Sequence, residues 1–138
     1  MKPDIIIGID TGVKTGFAMW STKEKHFTEV STIPIHNAIL KLEAMRIEGV
    51  SMKVRIEDAR LRTWFGKVDK DNQQGVGSVK RDAKILEDYC KDKGIDYELV
   101  APKNNITKID AAYFAKLTKW TGKTSNHARD AGMLVFGY

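Results

Sequence analysis

An α/β fold with one mixed sheet and helices on both faces is what this sequence predicts. Three observations carry the prediction. The run "DIIIGID" near the start is apolar enough for a strand buried on both sides. Two more strand-like runs follow across short turns, which makes an antiparallel meander. From Pro34 onward helical and strand patterns alternate, as they do when crossover helices cover a sheet. The predicted order is β-β-β-α-β-α-β-α-α.

Each element has a local reason. "TGVKT" reads as a turn, "GFAMWST" as an aromatic-rich strand, and "HFTEVSTI" as a third strand whose apolar Phe27, Val30 and Ile33 alternate imperfectly. Pro34 starts a helix, "IHNAILKLEAMRIEG", with Ile35, Ala38, Ile39, Leu42, Met45 and Ile47 near one face and Gly49 as its stop. "VSMKVRIED" is a strand ending in Glu57 and Asp58. The polar, glycine-punctuated "ARLRTWFGKVDKDNQQGVG" reads as a long loop. "SVKRDAKILEDYCKDKG" is a helix capped by Ser78, with Ile85, Leu86 and Tyr89 as core candidates. "IDYELVAP" is a short strand, and "NITKIDAAYFAKLTKWTG" a helix carrying Ile109, Ala112, Tyr113, Lys116 and Leu117. "SNHARDAGMLVFGY" closes as a helix with Ser125 or Asn126 as N-cap.

Composition narrows the function classes. The 138 residues, 42% hydrophobic and 30% charged, suit a single domain over 1–138. No apolar run approaches the ~20 residues needed to cross a bilayer. The N-terminus lacks the cleavage site of a secretory signal, so a cytoplasmic protein with no membrane partner is expected. Cys90 is the only cysteine, which excludes an internal disulfide and a thiolate zinc cluster. A net charge of +5 is compatible with a polyanionic partner.

The chemistry sits at the ends of elements. Asp10 ends the first strand and Glu57 the fourth, while His127 and Asp130 share one face of the last helix at i and i+3. If the first and fourth strands are parallel neighbours, Asp10 and Glu57 lie side by side. Paired carboxylates repel unless a cation is present, and Mg²⁺ or Mn²⁺ would supply it. Taken singly, each residue has an ordinary explanation: a solvated strand end, an Asp-Thr-Gly turn, or an acid favoured by the helix dipole. Asp58 should point to the opposite face from Glu57.

The motifs "IIGIDTGVKTGFAMW", "KVRIEDARLR", "GVGSVKRDAKILEDY" and "NHARDAGML" occur in an order and spacing that resemble RuvC-type Holliday-junction resolvases of the ribonuclease H-like superfamily. The resemblance covers nearly the whole chain, with Thr11 where a proline is common. It implies a five-stranded sheet of order 3-2-1-4-5 flanked by helices and Mg²⁺-dependent endonuclease cleavage of DNA phosphodiesters. It also implies metal-binding and catalytic roles for Asp10, Glu57 and Asp130, with Asp10 shared between two ions. His127 matches a closing-motif position that holds aspartate in some relatives and histidine in others, which suggests a variant catalytic role for it, in binding the metal or orienting water. Dimerisation is implied through the helix after the catalytic loop.

For DNA contacts, "ARLRTWFGK" interleaves Arg60, Arg62 and Lys67 with Trp64 and Phe65 and contains no acid. Cations there neutralise phosphate, and aromatics stack on unpaired bases or wedge into a junction. Trp64 and Phe65 could equally anchor the loop on the core. Lys80, Arg81, Lys103 and Lys108 are further phosphate-contact candidates. A four-way junction is two-fold symmetric, so a C2 homodimer would supply the two sites needed. The competing functions are a related nuclease acting on flaps or RNA, and a non-catalytic nucleic-acid-binding module. An actin-like ATP-binding domain would need a second domain that this length leaves no room for.

Overall fold

The computed structural model describes residues 2–12, 14–61 and 73–138. Strands β1 (Ile5–Asp10), β2 (Thr15–Ser21) and β3 (His26–Ile33) precede helix α1 (Ile35–Ile47). Then come β4 (Met52–Glu57), α2 (Gln73–Lys93), β5 (Asp96–Val100), α3 (Ala111–Thr118) and α4 (Asn126–Met133). The strands form one five-stranded sheet in the order β3-β2-β1-β4-β5. The meander pairs antiparallel, whereas β1 pairs parallel with β4 and β4 with β5. The predicted element order and the mixed sheet are both observed. No described helix is long and apolar enough to cross a membrane.

Alternation along the strands separates two cores. Ile7 and Ile9 of β1, with Val54 and Ile56 of β4, pack under Ala38 and Leu42 of α1 and Leu86 and Cys90 of α2. Ile6, Ala18 and Trp20 face the other way, against Phe114 of α3 and Ala128, Ala131 and Leu134 of the α4 segment. Burial pushes the Cys90 thiol up to about 11, so it stays protonated and serves as filler.

The imperfect alternation of β3 has a structural cause. Met19 pairs with Glu29 but Trp20 with Phe27, which leaves Thr28 as the extra residue of a bulge. Phe27 and Val30 therefore share the α4 face despite their odd spacing, and Phe27 meets Trp20 edge-on at 4.9 Å.

Two close approaches set the height of α4 above the sheet. A Cβ on Gly8 would overlap the main-chain carbonyl of Ala131, and one on Gly16 would overlap that of His127. Glycine at both positions lets the helix backbone rest directly on β1 and β2.

Several expected details differ. Helix α2 begins at Gln73, so Ser78 is interior and not the cap; the two glycines of "GVG" hide a first turn that is nonetheless helical. Ile85 of α2 is exposed, and Leu86 is the buried residue. Helix α3 is only Ala111–Thr118, capped by the Asp110 side chain accepting from the Tyr113 N–H. Its buried residues are Phe114 and Thr118, while Tyr113 and Leu117 are exposed. In α1, Ile47 is exposed. Ser125 is confirmed as the α4 cap, its hydroxyl accepting from the Ala128 N–H at 3.1 Å.

Asp58 points away from Glu57, as alternation requires. It is 1% exposed, accepts from the Arg60 backbone N–H at 2.9 Å, and holds the Arg60 guanidinium through both oxygens. The same guanidinium reaches Glu87 of α2 at 3.0 Å. These carboxylates push Arg60 further up, so it is permanently charged. Asp58→Ala should therefore destabilise the fold by roughly 2–3 kcal/mol, because it strands Arg60 and an N–H donor. Urea denaturation measures this, and a loss within error of zero would mean the network is incidental.

Candidate active site

The register of β1 and β4 places Asp10 opposite Glu57. Asp10 follows Ile6 and Gly8 in the alternation, so its side chain faces α4. Glu57 follows Arg55, whose guanidinium bonds the Leu134 carbonyl just beyond α4, and so faces the same way. Both acids thus lie at the same end of adjacent parallel strands, under the first turns of α4. That helix brings His127 onto Asp10, with His127 Nδ1 3.2 Å from Asp10 Oδ2. The low seat of α4 on Gly16 makes this contact possible, since the His127 backbone itself touches that glycine.

Each carboxylate is turned to a different donor. Asp10 takes the His127 ring, and Glu57 Oε2 takes the Asn105 side-chain amide at 3.0 Å. Asp130 Oδ1 takes the Lys108 backbone N–H at 3.1 Å. Thr11 is buried, and its hydroxyl donates to the Glu57 main-chain carbonyl at 3.4 Å.

Electrostatics set Asp10 apart. Burial, then the Glu57 carboxylate, push it from 3.8 up to about 7, with Asp130 adding to the effect and the His127 hydrogen bond opposing it. Burial also raises Asp130, against the Lys108 N–H. The sign of the linkage follows. A folded-state value above the unfolded one gives stability that is complete below about pH 4 and lost as pH rises through about 7. The limit of that loss is of the order of 4 kcal/mol. Metal-free protein should therefore show a melting temperature that falls between pH 4 and pH 8. Mg²⁺ should restore much of it at the upper end. A melting temperature indifferent to both pH and Mg²⁺ would contradict this.

The donor set fits a hard divalent cation. Carboxylate oxygens suit Mg²⁺ or Mn²⁺, and the raised Asp10 is what burial beside another acid produces without a counter-charge. Among the described residues, no group of three His, Cys, Asp or Glu side chains is set to hold an ion as it stands. Mg²⁺ commonly takes only one or two carboxylates and completes its shell with water and substrate phosphate.

The architecture has solved counterparts. RuvC of T. thermophilus in complex with a Holliday junction substrate superposes at TM-score 0.58 and 13% identity, over 94% of this chain and 89% of that one. The fold is that of RuvC. A second RuvC structure from Thermus thermophilus gives TM-score 0.52 and 14% identity, over 94% of this chain and 90% of its own. No protein-family model matches the sequence, and no curated protein matches it. The ribonuclease H-like sheet of order 3-2-1-4-5 expected from the sequence is thus present.

On this RuvC fold the remaining site candidates separate. Asp10 is paired with Glu57 across β1 and β4, His127 bonds Asp10, and Asp130 lies near enough to act electrostatically on Asp10. Lys103 and Lys108 are exposed on the β5–α3 segment that contacts Glu57 and Asp130. Lys80 and Arg81 are exposed on α2, which covers the opposite face of the sheet. Arg60, expected to contact DNA, pairs with Asp58 and Glu87. Arg62, Trp64, Phe65 and Lys67 lie outside the described residues. Sequence reasoning missed Asn105 and the seating role of Gly16. A lone asparagine after a proline turn carries no periodic signal, and a glycine opening a strand looks like any turn residue.

Proposed function

We propose that the chain is a divalent-metal-dependent endonuclease that hydrolyses phosphodiesters in branched DNA, four-way junctions among them. One observation carries this: Asp10 and Glu57 are paired across β1 and β4, beneath the α4 turn that bears His127 and Asp130. The fold shared with a RuvC solved on a Holliday junction substrate supports the choice of DNA structure.

Asp10, Glu57 and Asp130, with His127, would hold Mg²⁺ or Mn²⁺. A cation bound there supplies an activated water and charge stabilisation at the leaving oxygen. The chain's own residues prepare for it. His127 orients Asp10, Asn105 orients Glu57, and the Lys108 N–H orients Asp130. The exposed ammonium groups of Lys103 and Lys108 stand on the same segment and would meet phosphates beside the acids. Arg62, Trp64, Phe65 and Lys67 would contact the junction itself. A symmetric junction needs two cuts, which a C2 homodimer would deliver.

The test is direct. Purified protein is incubated with a synthetic four-way junction, a linear duplex, a flap and an RNA–DNA hybrid, each with Mg²⁺, Mn²⁺ or EDTA. Metal-dependent cutting of the junction ahead of the duplex is expected. Preference for the hybrid or flap would reassign the substrate, and no metal-dependent cutting of any would end the nuclease assignment.

A further inference from the structure

The segment between β5 and α3 passes over the acid cluster, and one side chain on it touches both sides. Asn105 Nδ2 donates to Glu57 Oε2 at 3.0 Å and to the main-chain carbonyl of Asp130 at 3.0 Å. The amide nitrogen carries two hydrogens, so both bonds form together. Glu57 closes β4 and Asp130 lies in α4, so a single side chain ties a strand end to a helix.

The segment is itself held. Lys108 adopts the left-handed region, φ 61°, and from there its N–H reaches Asp130 Oδ1. Buried Arg129 donates through Nε to the Ile109 carbonyl at 2.7 Å and through a terminal nitrogen to the Thr124 carbonyl at 2.8 Å. Asn105 is thus fixed from behind by α4 while it faces Glu57.

Resting on the metal-dependent nuclease assignment above, we propose that Asn105 is a positioning residue. Its amide sets the Glu57 carboxylate and the Asp130 turn of α4 at a fixed separation, ready to share a divalent cation. An unrestrained glutamate at a strand end would lose rotamer freedom on binding metal; a donor already in place moves that loss into folding. The donor is also neutral. A lysine or arginine there would add a positive charge that competes with the cation, whereas an amide orients the carboxylate without adding one.

The experiment compares wild type with Asn105→Ala, Asn105→Asp and Asn105→His. Asparagine and aspartate have the same shape, but an ionised aspartate has no donor; histidine keeps a ring N–H close to the backbone. Mn²⁺ binding to DNA-free protein is followed by the EPR signal of free Mn²⁺, and junction cleavage is followed as a function of Mn²⁺. Alanine and aspartate should weaken Mn²⁺ binding about tenfold or more. Their cleavage should recover at high Mn²⁺, with junction affinity in EDTA unchanged, and histidine should restore part of the loss. Mn²⁺ binding equal to wild type in both alanine and aspartate variants overturns the proposal, whatever the cleavage result. If these variants weaken Mn²⁺ binding while wild type cuts no DNA, the positioning role stands and the nuclease assignment falls. Wild type that binds no Mn²⁺ overturns both. Should the variants fail to fold by circular dichroism, ¹⁵N-labelled wild type decides: the Asn105 side-chain amide resonances must move on Mg²⁺ titration, and static resonances overturn the proposal.

Discussion

Asp10→Asn is expected to abolish junction cleavage and, in metal-free solution at pH 8, to leave the protein more stable than wild type. Both effects have one origin. Asp10 is 8% exposed, sits beside Glu57, and is held up to about 7 by that burial and repulsion. Above pH 7 the wild type carries this charge at a cost that the amide avoids, and the gain should be a few kcal/mol. Cleavage should fall about a thousandfold or more, equivalent to roughly 4 kcal/mol of transition-state stabilisation. Junction binding in EDTA should be retained, because the phosphate contacts proposed above come from cations elsewhere. Thermal melting at pH 5 and pH 8, with and without Mg²⁺, separates the two effects. The stability gain should shrink at pH 5, where Asp10 is largely protonated, and Mg²⁺ should stabilise wild type but not the variant. A variant that cuts like wild type would remove Asp10 from the site.

Gly16→Ala is expected to combine the largest loss of stability from one added methyl with loss of cleavage. The new Cβ would overlap the His127 carbonyl, a backbone atom of α4 that cannot swing aside as a side-chain tip could. Relief requires the start of α4 to lift from β2, which draws His127 off Asp10 and disturbs the Ser125 cap beside it. Overpacking of this kind should destabilise by about 3 kcal/mol. Gly77→Ala is the control. A Cβ there meets nothing within 4 Å, and an alanine in a helix should be neutral or stabilising by up to about 1 kcal/mol. Urea denaturation and cleavage, at a temperature where all three proteins are folded, compare them. If Gly16→Ala matches Gly77→Ala in both, α4 is not seated as described.

The parts legible in the sequence were those with a local physical signature. Asp10 ends an apolar strand, where a charged residue demands an explanation from composition alone, and Glu57 closes the strand expected to lie beside it. Ser125 followed by a polar helix start is a cap by chemistry. The face of Asp58 followed from period-two alternation. What escaped lacked such a signature. Gln73–Gly77 is polar and glycine-bearing, so its helicity depends on the long α2 it extends. The buried face of α3 was misjudged because only eight residues are helical, and the segment before Asp110 is not helical. Too few turns exist for periodicity to identify Phe114. Asn105 lies where the chain has no repeat of any kind, and its importance comes wholly from what folds around it.

The contact between Asp10 and His127 joins residues 117 positions apart. Closing so long a stretch of chain is entropically slow, and the meander and α1 can form well before it. On the ribosome, the first strand therefore emerges long before the helix that completes the constellation. A nascent chain would carry Asp10 before the His127 that bonds it. The proposed site would be complete only once α4 has docked on the sheet.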